Sequence, residues 1–121
     1  MHKYRSLVAW QSAHAFARAA LRATDAAYHP RSRPVFDQVR RAAISVEANV
    51  VEGYALGTLP YFRRHLRIAM GSAAEAECLI RLARELGYLP EPIADELESL
   101  AGGCMRTMRG PLRATVRPAT G

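Results

Sequence analysis

Aromatic residues make up only 7% of the 121-residue chain, and tryptophan occurs once. Sheets draw on aromatic and β-branched side chains to fill a pleated, half-buried surface, so this scarcity argues against a β fold. Cysteine occurs twice, as Cys78 and Cys104, far apart and with no partner at metal-ligand spacing. Two free thiols in a reducing compartment are therefore expected, not a disulfide framework. The histidines, His2, His14, His29 and His65, never stand at i,i+3 or i,i+4, and no HExxH occurs. That spacing supports no zinc site, and no metal or cofactor is expected. No apolar run approaches the roughly 18–20 residues of a membrane span. The opening MHKYRSLVAWQSAH has basic residues but no continuous apolar core and no small-residue cleavage site. No secretory signal is expected, and a cytoplasmic location is. Lysine is almost missing: sixteen of the seventeen cations are arginine.

Alanine is abundant, with 22 residues, and half of the chain is apolar. Alanine is the best helix former and permits close helix approach, which points to an all-α protein. The length suits one domain with one core. Seventeen cations against eleven carboxylates give a formal charge of +6.

Four segments carry helical periodicity, at about 6–28, 34–54, 58–86 and 90–109. In the first, Leu7, Trp10, His14, Ala17, Leu21, Thr24 and Tyr28 repeat at alternating spacings of three and four, a packing seam. His14 reads there as a packed or rim side chain. In the second, the seam is Phe36, Val39, Ala43, Val46 and Val50, with Pro34 suited to a first turn and Gly53 and Gly57 bracketing the exit. In the third, Phe62, Leu66, Ala69, Ala73, Ala76, Ile80 and Ala83 form an unbroken stripe, preceded by Thr58 as cap and Pro60 in the first turn. The fourth carries Ile93, Leu97, Leu100 and Cys104 and is weakened by Gly102-Gly103. From Gly110 to Gly121 the chain reads as a flexible basic tail, which leaves 1–109 as the folded unit. Short turns between consecutive helices make neighbours antiparallel, so the expected architecture is an up-down four-helix bundle.

A polar stripe breaks the pattern. Gln38, Ser45, Asn49 and Glu52 follow the spacing of the second seam, one residue ahead of it, on the flank of the buried face. Ser72 and Glu75 hold the corresponding flank of the third helix. Buried polar groups must be hydrogen-bonded. The stripe therefore reads either as a solvated rim or as a buried network, with Arg40 and Arg41 as partners for the carboxylates. A nuclease or hydrolase built on Glu52 and Glu75 is a further reading, but two carboxylates without a base, nucleophile or phosphate loop specify no reaction, so no catalytic residue is assigned. On the third helix, Gly71, Ala74 and Cys78 place small residues between Arg64, Arg67 and Arg81. That face reads as a subunit seam or as a solvated face.

Arginines cluster at 31/33, 40/41, 63/64/67, 81/84 and 106/109/113/117. Guanidinium forks suit phosphate, and clustered cations are the electrostatic footprint of nucleic-acid binding. Arg63, Arg64 and Arg67 are the first candidate contacts, with Arg40 and Arg41. No helix-turn-helix, zinc-finger, RNP or KH signature accompanies them, so little sequence preference is expected. The alternative is a structural or adaptor protein that binds a protein partner and no nucleic acid.

Several motifs together resemble a known bacterial family. LVAWQ (7–11), QVRRAAISVEANVVEGYALG (38–57), YFRRHLRIAMGSAAEAE (61–77) and LGYL (86–89) are similar to the characteristic segments of the four-helix-bundle proteins named for 23S rRNA intervening sequences. The chain also resembles the accessory variability proteins of diversity-generating retroelements. The resemblance implies a bundle assembled into a ring, typically a homopentamer, without established enzymatic activity. It further implies RNA or DNA, a reverse transcriptase or a ribosomal component as partners. The matching polar positions are Gln38, Arg40, Arg41, Ser45, Asn49, Glu52, Gly53, Gly71, Ser72 and Glu75. Ala73 and Ala76 stand where the family has leucine, which thins the core there.

Overall fold

The computed structural model describes residues 3–116. A 3-10 turn, Lys3–Ser6, leads into α1 (Val8–Ala26), α2 (Arg33–Ala55), α3 (Leu59–Glu85) and α4 (Glu91–Val116), and no strand occurs among the described residues. The four helices form a bundle in which each packs on the next and α4 closes back on α1.

The core follows the apolar periods. All five expected seam residues of α2, and Leu66, Ala69, Ala73, Ala76, Ile80 and Ala83 of α3, are buried. Phe62 of the expected α3 stripe is partly buried against this cluster. On α1 the buried face is rotated from the expected one: Ala9, Ala13, Phe16, Ala17, Ala20 and Thr24 face the core. Of the expected seam only Ala17 and Thr24 are buried, while His14 and Tyr28 are exposed. Alanines take most of this face, with Phe16 the large side chain buried among them, and Trp10 and Leu21 lie at the rim. The buried Thr24 hydroxyl is satisfied within its own helix, donating to the Ala20 carbonyl at 2.8 Å.

The fourth helix does not stop at Arg109. It continues through Gly110-Pro111 to Val116, and the rest of the expected tail, residues 117–121, lies outside those described. Buried Met108, and Leu112 packed against the core, extend the apolar stripe by one more turn, and that packing outweighs the weak propensity of Gly-Pro. Gly53, expected at the exit of α2, lies inside it, and the left-handed turn residue is Gly57, at φ 77°.

Side-chain packing fixes which helix ends meet. Leu7 shares a cleft with Tyr54, Gly57, Leu59 and Phe62, so the start of α1 sits at the α2–α3 turn. At the other end Phe36 meets Tyr88 edge-on, centroids 6.3 Å apart, which puts the start of α2 beside the α3–α4 turn. Cys104 donates its thiol to the Ser12 carbonyl at 3.0 Å, placing the middle of α4 beside the first turns of α1.

Candidate functional site

The flank where α2 meets α3 holds a hydrogen-bonded chain. Asn49 donates Nδ2 to the Ser45 carbonyl at 2.8 Å and to Ser45 Oγ at 3.1 Å. That leaves Asn49 Oδ1 as acceptor, so His65, with Nδ1 at 2.9 Å, donates to it. Ser45 Oγ lies 2.9 Å from Ser72 Oγ. Gly53 admits the histidine: a Cβ there would lie 2.7 Å from His65 Cβ. The structure thus brings together Ser45, Asn49 and Ser72 of the expected stripe, and adds His65, which looks in sequence like an isolated histidine. Glu52 stands at the margin, 63% exposed and 3.9 Å from His65 Nδ1. Gln38 and Glu75 are exposed; Gln38 only receives Arg41 Nε at 3.4 Å. Neither Arg40 nor Arg41 reaches Glu52 or Glu75 as expected, because Arg40 is ion-paired with Asp25 of α1 and Arg41 donates to Gln38. Asn49→Leu is expected to cost about 1–3 kcal/mol, since it removes three hydrogen bonds and strands His65 and Ser45. Glu52→Ala should stay within about 0.5 kcal/mol, as exposed positions do. Urea unfolding checks both.

Across α1 and α2, Glu47 accepts from Trp10 Nε1 at 3.1 Å and from His14 Nδ1 at 2.9 Å, and the Trp10 and His14 rings stack with centroids 4.9 Å apart. This cluster explains why two expected seam residues sit at the rim. No group of three or more His, Cys, Asp or Glu side chains with metal-site geometry occurs among the described residues.

The bundle is electrically polarised along its length. The half that holds the α2–α3 turn (residues 3–17, 44–72 and 104–116) carries eight cations, Lys3, Arg5, Arg63, Arg64, Arg67, Arg106, Arg109 and Arg113, against Glu47 and Glu52, a net of +6. The other half (18–43 and 73–103) carries eight arginines against nine carboxylates, a net of −1. Pairing follows the same division. Arg33 meets Asp37, Arg40 meets Asp25, Arg81 meets Glu98, and Arg84 meets Glu91, Asp95 and Glu98. Desolvation works against the Arg84 charge, yet the carboxylates of Asp95, Glu98 and Glu91 outweigh it and hold its pKa above the ordinary value. Among the described residues, no ion pair involves Arg63, Arg64, Arg67, Arg106, Arg109 or Arg113.

Arg63, Arg64 and Arg67 stand near the start of α3 and Arg109 and Arg113 near the end of α4, whereas the Arg106 guanidinium lies back over Gly102 and Gly103. Arg81 reaches Glu98 and Arg84 reaches Asp95, so residue numbers rise on one helix as they fall on the other. Seventeen residues back from Arg84 is Arg67 and seventeen on from Asp95 is Leu112, which sets Arg63 and Arg67 level with Arg109 and Arg113. Arg63 Nε is buried without an acceptor, and so is Arg84 Nε in the other half. Arg40 lies some thirteen residues below Gly53 on α2, about 20 Å at 1.5 Å per residue, so it and Arg41 stand apart from the Arg63 group. The sequence does not distinguish the two clusters; the difference lies in the carboxylates opposite them.

On the outer face of α3, Gly71, Ala74 and Cys78 are all exposed, with exposed Ile68 and Leu82 on the same helix. No helix of the described chain is long and apolar enough to cross a membrane.

Set against known proteins, the chain matches the family described as 23S rRNA-intervening sequence protein, over residues 5–110. No curated protein is similar enough to count as a match.

Proposed function

This chain belongs to the 23S rRNA-intervening sequence protein family, and from that membership and the charge distribution we propose that it is a non-enzymatic, oligomeric bundle that binds nucleic acid. The observation that carries the proposal is the basic half, with six arginines free of ion pairs among the described residues. Arg63, Arg64 and Arg67 contact phosphate with Arg109 and Arg113 beside them. Binding to RNA or DNA has little sequence preference, because cations alone read no base edge. The protein works in the cytoplasm, alone on nucleic acid or with a ribonucleoprotein partner. Anisotropy of a labelled hairpin tests this. Six or more phosphate contacts should weaken binding by about 10³-fold or more between about 50 and 200 mM salt. Absence of binding at the low-salt end would contradict the proposal and favour the adaptor reading.

In the same reading the helices run up-down-up-down and the bundles assemble into a ring, a pentamer being favoured. Gly71 supports a seam on α3. A Cβ there would meet nothing within 4 Å, so nothing inside the chain requires glycine, although it costs the helix about 1 kcal/mol relative to alanine. A neighbouring copy against Gly71, Ala74 and Cys78 supplies the reason. Light scattering should give a multiple of the chain mass, and Gly71→Leu should reduce it. Thiol labelling gives a second readout. Cys104 is buried, and burial pushes its thiol pKa up while the hydrogen bond to Ser12 opposes this. It should resist labelling in every folded form. Cys78, exposed in the single chain, should be protected in the parent and labelled in Gly71→Leu. A monomeric parent with reactive Cys78 would contradict the seam.

A further inference from the structure

Two adjacent glycines, Gly102 and Gly103, sit half-buried in the middle of α4. Glycine is the poorest helix former after proline, and nothing inside the chain asks for it here. A Cβ on Gly102 would meet only Arg106 Nη1, at 3.6 Å. One on Gly103 would meet only Arg106 Nη2, at 3.7 Å, and Ser12 Oγ, at 4.0 Å. These are ordinary van der Waals distances, so alanine would fit both positions with Arg106 where it is. The bare positions instead leave a shallow niche where α4 faces α1. Its rim is made of donors: a guanidinium group laid back over the two glycines and a hydroxyl from α1. The neighbouring Thr107 hydroxyl is already spent, donating to the Cys104 carbonyl at 2.7 Å.

A guanidinium group and a hydroxyl facing one gap suit an oxyanion. Which oxyanion follows from what lies along the helix. Arg106, Arg109 and Arg113 repeat at spacings of three and four, which puts them on one face of α4. They stand about 4.5 and 6 Å apart along the axis, at 1.5 Å per residue. No carboxylate occurs on α4 after Glu98, and none of the three has an ion pair among the described residues. A row of cations that begins at a niche for one oxyanion and runs on to the level of Arg63 and Arg67 matches a polymer charged at every step, not a lone anion. We infer that Arg106 and Ser12 hold one phosphate of a bound nucleic acid over Gly102 and Gly103, an inference that rests on the nucleic-acid reading above. From there the backbone runs along Arg109 and Arg113 toward Arg63 and Arg67. The contact carries no base preference, since phosphates are alike in every sequence.

The test turns on two effects of opposite sign in one variant. Gly102→Ala with Gly103→Ala should raise the midpoint of thermal unfolding by about 5 °C or more, because alanine favours the helix. The same variant should bind a labelled hairpin about tenfold more weakly, because two methyl groups then stand where the phosphate does. Arg106→Gln should weaken the hairpin about tenfold and flatten the log–log dependence on salt by about 0.7–0.9. Ser12→Ala should weaken it about threefold with the slope unchanged, since a hydroxyl and no charge is lost. Arg31→Gln, which removes the same charge from the other half, should bind like the parent. A double alanine variant that melts higher and binds like the parent would overturn the niche while the nucleic-acid reading stood, and so would parent affinity in Arg106→Gln. A lower melting midpoint would show that the chain itself needs the glycines, and would overturn the niche as well. Absence of binding at the low-salt end, by the parent and every variant, would overturn both.

Discussion

Gly53→Val is expected to cost the bundle about 2–3 kcal/mol, more than any change on its exposed faces. Gly53 is buried within α2, and its missing side chain is the space that α3 occupies. A Cβ would lie 2.7 Å from His65 Cβ and 3.4 Å from the Phe62 backbone. The first of these atoms is the root of a side chain rather than its flexible end, so the helices themselves must separate. Overpacking of this kind costs about 1–3 kcal/mol, and the gain in helix propensity over glycine returns less than about 1 kcal/mol. The displacement also pulls His65 from Asn49, which breaks the hydrogen-bonded chain across the two helices. For a domain of this size the midpoint of thermal unfolding should fall on the order of 10 °C. Gly53→Ala should fall between parent and Gly53→Val. A Gly53→Val melting curve lying on that of the parent would show that α2 and α3 are not held this closely.

Much of this arrangement is legible in the sequence, and the exceptions have physical causes. On α2 the seam is built from Phe36, Val39, Val46 and Val50, whose bulk and spacing mark the buried face without ambiguity. On α1 the buried face is mostly alanine, and alanine is nearly as common on its exposed side, so the larger Trp10 and Leu21 point to the wrong face by one position. The end of α4 is misread because Gly110-Pro111 looks like a stop; what keeps it helical is the pocket that Met108 and Leu112 fill, a tertiary fact. Ser45, Asn49 and Ser72 are legible as a group because polar residues on a seam's flank need partners. Their main partner, His65, is not, since nothing local distinguishes it from a surface histidine. The charge polarity is hidden for a similar reason. Arg40/Arg41 and Arg63/Arg64 are equivalent as dipeptides, and only the helix packing shows that the first pair faces Asp25 and Gln38 while the second faces no acid.

That difference between two arginine clusters separates a local site from a general attraction. Two triple variants remove the same formal charge: Arg63→Gln, Arg64→Gln and Arg67→Gln from the basic half, and Arg31→Gln, Arg40→Gln and Arg41→Gln from the near-neutral half. A general attraction between a cationic protein and a polyanion would respond to both alike. A site at the start of α3 responds only to the first. Each phosphate released from its arginine should flatten the log–log dependence of affinity on salt by about 0.7–0.9, so the first variant should be flatter by about 2–3. Its affinity near 100 mM salt should drop by about three orders of magnitude, at about 1.5 kcal/mol for each charge-assisted hydrogen bond removed. The second variant gives up at most about 1 kcal/mol of stability with the Arg40–Asp25 ion pair, and its slope should match the parent.

The most direct measurement is therefore the anisotropy of one labelled oligonucleotide, titrated with parent and both triple variants at several salt concentrations. A site at the start of α3 requires a shallow slope for the Arg63/Arg64/Arg67 variant alone, with the parent and the Arg31/Arg40/Arg41 variant superimposed. Equal weakening in the two variants, or a parent that does not bind at low salt, would contradict it.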